Sequence, residues 1–112
     1  MGVDDFLRGI KRCHQRFFPE ARLIAVEKLP FYIKTRIIIS EKLFVEIRYN
    51  VRNKRYSYVM VDNGRRIAGF DNLGGWHRHY FKKANSHQPI KAPSLDEIFN
   101  YFQKGIKPLQ KL

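Results

Sequence analysis

The chain has 112 residues, of which 44% are apolar and 14% aromatic, enough to fold around one core and too apolar for a disordered segment. Its longest aliphatic run, Ile37-Ile38-Ile39, falls far short of the roughly 20 residues of a membrane-spanning helix. Twenty-two Lys and Arg against ten Asp and Glu give a net charge of +12, a surplus that attracts polyanions: RNA, DNA or an acidic protein.

Asp4 to Phe17 reads as a helix. Phe6, Ile10, Cys13 and Phe17 keep the 3.6-residue period, Asp4 and Asp5 suit a helix N-terminus, and Pro19 stops the element. Cys13 lies on the apolar stripe, which makes it core filler. A single cysteine forms no internal disulfide, and the first residues, MGVDDFLRG, lack the apolar core of a signal peptide, so a cytoplasmic protein is expected.

Strands follow. Segment 22–28 is short and apolar, and segments 31–39 and 43–50 alternate, with Ile33, Thr35 and Ile37 on one face of the former and Leu43, Val45, Ile47 and Tyr49 on one face of the latter. A short loop at 40–42 pairs Ile37 with Val45 and Thr35 with Ile47, which sets Arg36 opposite Glu46 on the other face; opposite charges there favour this register. Lys34, Arg36 and Arg48 share that second face. Segments 55–62 and 65–71 flank Asn63-Gly64, a strong hairpin signal, which pairs Asp62 with Arg65 and Tyr58 with Gly69. Either Val59, Val61, Ala68 and Phe70 or Tyr56, Tyr58, Met60 and Ile67 form the buried side of this hairpin.

Residues 72–92 have no apolar period and are expected to be irregular, with Gly74-Gly75 a turn; a loop of that length is uncommon unless functional. A helix over 94–107 opens on Ser94-Leu95-Asp96-Glu97, a capping box, with Ile98, Phe99, Phe102 and Ile106 as its apolar face; Pro108 ends it and the tail 109–112 frays. The expected fold is α+β: one domain, a single antiparallel meander sheet of about five strands with the N-terminal and C-terminal helices packed on one face. Exposed strand edges permit a dimer and nothing demands one, so the oligomeric state stays open.

The irregular segment holds three of the four histidines, His77, His79 and His87. Metal binding is disfavoured: no cysteine is near, Asp71 is the one close carboxylate, and Arg78, Lys82 and Lys83 repel a cation. No metal or other cofactor is expected. Proton transfer fits better, because imidazole serves as base in one state and acid in the other near neutral pH. Metal-independent RNA cleavage needs a base for the 2′-hydroxyl, an acid for the leaving 5′-oxygen and cations at the phosphate. His77 and His79 supply the first two, with His87 as an addition, and Asp71 orients one imidazole. Arg66, Arg78, Lys82 and Lys83 are candidate phosphate ligands, and Trp76 and Tyr80 candidate stacking partners for bases. Binding of nucleic acid or a protein without chemistry is the competing reading, with a purely structural role for the histidines behind it.

The order of motifs resembles one family. Arg55-Tyr56-Ser57-Tyr58, Asp62-Asn63-Gly64, Arg66-Ile67-Ala68-Gly69-Phe70-Asp71-Asn72, the histidine-rich stretch and Pro93-Ser94 before a final helix are similar to the TumE toxins of toxin–antitoxin systems. This chain departs from the family's Pro-His-His runs, with Leu73-Gly74-Gly75-Trp76 before His77 and a single His87 after it. The resemblance implies a toxin acting on RNA, encoded beside an acidic or helix-turn-helix antitoxin that masks it.

Overall fold

Seven strands lie between two helices, and every strand is bonded to its neighbour in sequence. The structure, a computed structural model, describes residues 1–110. Helix α1 (Val3–Phe17) is followed by β1 (Arg22–Leu29), β2 (Tyr32–Ile38), β3 (Leu43–Asn50), β4 (Arg55–Asp62), β5 (Arg65–Asp71), β6 (His77–Tyr80), β7 (Lys83–Pro89) and α2 (Leu95–Gln110). The sheet is an antiparallel meander in the order β1 to β7. The α+β architecture is the expected one, with two more strands.

Both helices cover one face. Phe6, Ile10, Cys13 and Phe17 of α1 and Ile98, Phe99, Phe102 and Ile106 of α2 bury themselves against Ile33, Ile37, Val45, Ile47, Tyr58 and Met60 of the sheet. The α2 capping box forms as read: Ser94 N–H donates to Glu97 Oε1 at 3.3 Å and Glu97 N–H to Ser94 Oγ at 3.1 Å. The register of β2 on β3 is also the expected one, Ile37 facing Val45, Thr35 facing Ile47 and Arg36 facing Glu46.

Three local readings are corrected. Between β4 and β5, Asn63 (φ 51°) and Gly64 (φ 79°) make the two-residue turn, and Asp62 faces Arg65. The register then shifts by one residue beyond Val61, so Tyr58 faces Phe70 and Gly69 faces Val59. The shift settles the hairpin's faces by mixing the two alternatives: Tyr58, Met60, Ala68 and Phe70 are buried in the core.

Second, residues 72–92 are not irregular: they contain β6 and β7. Their signal was hidden because β6 is only four residues long and alternates His with Arg and Tyr, with no aliphatic side chain to mark a core face. Gly74 (φ 69°) and Gly75 (φ 112°) make the turn into it, as expected. Pro89 closes an edge strand, where its missing N–H costs no ladder bond.

Third, α2 runs through Pro108 to Gln110. A proline so close to the helix end removes only one intrahelical bond, and Leu109 packs against the core. The frayed tail expected from 109 therefore does not begin there; residues 111–112 lie outside the described residues.

Candidate active site

Strand alternation sends His77 and His79 to the face that the helices leave open. The ladders then align them: Ser57, Asp71 and His77 form one cross-strand row, and Val59, Gly69 and His79 the next. Gly69 is demanded by the backbone of β4, and the imidazole of His79 packs beside it at ordinary contact distance. A Cβ at that position would lie 2.9 Å from the Tyr58 carbonyl oxygen and 3.8 Å from His79 Cδ2.

His79 is 1% exposed. Its Nε2 lies 3.2 Å from Asp71 Oδ2. An ionised carboxylate can only accept, so Nε2 carries the proton and donates it, which leaves Nδ1 with the lone pair when the ring is neutral. The other oxygen, Asp71 Oδ1, accepts the Leu73 N–H at 3.2 Å. That second bond fixes the carboxylate plane, so the dyad is held from both ends.

His87 reaches the same place from β7. Its ring meets His79 edge to face, with centroids 4.6 Å apart, and His77 in the same manner at 5.8 Å. His87 is thus the shared neighbour of the other two. It is exposed and His77 is half-buried, so these two imidazoles meet solvent while His79 does not.

The three rings form one wall of a cleft of about 530 Å³. Asp71 and Arg66 of β5, Arg55, Tyr56, Ser57 and Val59 of β4, Arg48 and Asn50 of β3 and Tyr32 of β2 line the same cleft. Burial first, then a hydrogen bond with Tyr49, pushes the Tyr56 phenol up to about 12, so it stays protonated at neutral pH and is no base there.

The remaining candidates lie elsewhere. Arg78 and Tyr80 alternate onto the helix-covered face, where the Arg78 guanidinium hydrogen-bonds the Tyr80 hydroxyl and stacks 4.2 Å from the Tyr80 and 5.1 Å from the Tyr101 ring centroid. Trp76 stacks on Tyr56 at 5.7 Å, beside α1. Lys82 and Lys83 are exposed at the β6–β7 turn and do not line the cleft. His14, outside the cluster, donates its Nε2 proton to the Ala21 carbonyl at 2.6 Å and joins α1 to β1. Tyr32 and Asn50 line the cleft without having been singled out in the sequence, while Arg55, Ser57 and Gly69 belong to the motifs that carry the resemblance but had no role assigned to them. Arg48 had a signal, because alternation along 43–50 already put it on the second face. The pairing of Gly69 with His79 had none, since it runs through a strand that the apolar pattern does not mark.

Among the described residues, no helix is long and apolar enough to cross a membrane. Neither a curated protein nor a solved structure matches the chain. A family model does: the one described as Toxin TumE matches residues 10–109, which span all seven strands and most of both helices. The chain therefore belongs to the TumE family and is the toxin component of a toxin–antitoxin system.

Proposed function

We propose that this toxin cleaves RNA by metal-independent acid–base catalysis at the histidine cleft. His77 and His87 are the exchanging pair. One takes the proton of a ribose 2′-hydroxyl, whose oxygen attacks the adjacent phosphorus; the other gives a proton to the departing 5′-oxygen. The products are a 2′,3′-cyclic phosphate and a 5′-hydroxyl, and the pair is left with its protonation states exchanged. Arg66 lines the same cleft, where it would offset charge on the phosphoryl oxygens. His79, too buried to meet substrate, positions His87 and is itself held by Asp71.

The observation that carries this reading is the convergence of three imidazoles and one carboxylate, from three different strands, on the rim of a single cleft. A structural role for three histidines would not require an exposed ring to be shared between two others. The family implies an antitoxin partner; we take it to be an acidic protein, with a helix-turn-helix protein as the form the sequence resemblance suggests, that covers the basic open face and shuts the cleft.

The test is cleavage of single-stranded RNA in EDTA. His77→Ala and His87→Ala should each lower the rate about 10²- to 10⁴-fold, the contribution of one positioned acid or base. Full activity in His87→Ala would remove the histidine pair from the mechanism. RNA binding with no product from the wild-type protein would leave a binding module.

A further inference from the structure

Four charged side chains on the open face, on strands that do not carry the histidines, form a preassembled group. Glu46 of β3 accepts hydrogen bonds from Arg36 Nε at 3.0 Å and from Arg48 Nη2 at 2.8 Å, and Lys34 Nζ lies 3.9 Å away. The side chain of Glu46 is only 14% exposed, while Arg36 and Arg48 are 37% and 49% exposed. Three cations around one carboxylate leave a net surplus of positive charge, and the shared acceptor holds the guanidinium groups in place. Arg36 is further fixed by stacking 4.7 Å from the Phe44 ring centroid.

The sheet register ties this group to the cleft. Glu46, Val59, Gly69 and His79 face one another in a single cross-strand row, and Arg48, Ser57, Asp71 and His77 in the next. Three interstrand steps of about 4.8 Å put Arg48 of β3 about 14 Å from the histidines of β6, and a fourth step puts Lys34 and Arg36 of β2 about 19 Å away. Between them stand Val59, Gly69 and Ser57, short and uncharged, with the Asp71 carboxylate at the histidine end, where it is engaged by His79 and the Leu73 N–H. That strip is a trough bounded by cations on one side and imidazoles on the other. Tyr32 lines the same cleft and offers an aromatic face.

We infer that Lys34, Arg36 and Arg48, organised by Glu46, form a second phosphate subsite that binds single-stranded RNA a few nucleotides from the bond that is cut. The inference rests on the proposed RNA chemistry of the histidine cleft and adds the form of its substrate. One phosphate at the histidines cannot also touch cations anchored about 14 to 19 Å away; a phosphate two or three nucleotides further along an extended strand can. A base at the cation end of the trough stacks on Tyr32, which stands on β2 beside Lys34, as bases do on aromatic platforms. A duplex cannot bind this way because its bases are paired and stacked within it. An acidic protein would also be drawn to the cations, but the trough leading from them to the histidines favours a linear polyanion.

Binding of uncleavable 2′-O-methyl oligonucleotides, followed by fluorescence anisotropy across a salt series, tests the subsite. The Lys34→Ala/Arg36→Ala variant should bind a single-stranded decamer at least tenfold more weakly. Its salt slope should be shallower by about 1.4, two lost contacts at about 0.7 each on a single strand. Affinity for a dinucleotide should not change, and the wild-type protein should prefer the single strand to its duplex. Adding Glu46→Gln to the double variant removes the stranded carboxylate, and the same defect should persist in that triple variant.

Unchanged decamer affinity, or equal losses for decamer and dinucleotide, would overturn the subsite. Unchanged RNA affinity with weakened binding of a poly-glutamate peptide would assign the face to an acidic protein. Because the probes cannot be cut, decamer binding without cleavage of natural RNA refutes only the nuclease chemistry. Cleavage with no effect of the substitutions refutes only the subsite.

Discussion

Asp71 and Asn72 are neighbours in sequence that secure different things. Asp71 faces the open side and holds His79. Asn72 clamps the start of β4: its Oδ1 accepts the Tyr56 N–H at 2.8 Å and its Nδ2 donates to the Lys54 carbonyl at 2.9 Å, next to a Lys54 backbone with φ 55°. Aspartate cannot donate that second bond and asparagine cannot carry the charge that the imidazole wants, so the order of the pair matters. Glu46 makes a separate prediction. Burial works against its ionised form, but hydrogen bonds from Arg48 and Arg36 outweigh burial and hold its carboxyl below the usual carboxylate range. A lowered folded-state value stabilises the fold above the unfolded value of 4.5, and that contribution is lost as pH falls through the folded value. Glu46→Gln should therefore cost about 1 kcal/mol at neutral pH, a figure kept small because both arginines are partly exposed. In urea denaturation the gap from wild type should be constant above about pH 5 and close below pH 4.5. A gap that widens with acid would contradict the assignment. Cys13 behaves as its place on the apolar stripe suggested: burial, then the nearby Asp96, pushes its thiol up to about 11, out of reach of thiolate chemistry at neutral pH.

The hairpin of β6 and β7 is the element on which the site depends and the one that apolar periodicity left unmarked. Its side chains alternate His77 and His79 against Arg78 and Tyr80, so the period of two is present but carries no apolar contrast. Once those residues form a strand, the same alternation takes Arg78 and Tyr80 off the histidine face. Composition nominated the four together; only the backbone separates them. By contrast, the β2–β3 register and the α2 capping box were legible because each rests on a strong local pattern, paired charges in one and Ser-x-x-Glu in the other. Helix α2 holds the hairpin in place. The Tyr101 hydroxyl accepts the Phe81 N–H at 3.1 Å, and the Tyr101 ring packs against Phe81 with centroids 5.3 Å apart. Phe81 itself sits on Gly105, where an added Cβ would fall 1.9 Å from its ring. Gly105→Ala improves helix propensity by about 1 kcal/mol, yet overpacking costs about 1–3 kcal/mol. Net destabilisation is expected in thermal melts, together with a loss of RNA cleavage larger than the loss of folded protein, because the displaced hairpin carries all three histidines. A more stable and fully active variant would show that the Phe81 seat does not position the site.

Across the whole molecule the two faces of one sheet divide the work. The helix-covered face holds the core, and the open face holds the histidine row, the trough and the cation row. This division is what a chain of +12 needs if it is to bind a polyanion without burying charge. It also gives an antitoxin a simple way to act, since one acidic surface laid on the open face would cover both rows. The division was half legible in the sequence, where Lys34, Arg36 and Arg48 fell opposite an apolar face. Its link to the histidines was not, because it depends on a one-residue shift between β4 and β5 and on two strands without an apolar face. The most direct measurement is the chemistry of the cut ends after digestion of a short RNA in EDTA, compared with the same strand carrying a single 2′-deoxy residue at the cut position. The account predicts a 2′,3′-cyclic phosphate and a 5′-hydroxyl from the first and no cut at that position in the second. A 5′-phosphate product, or cleavage that ignores the missing 2′-hydroxyl, would contradict it.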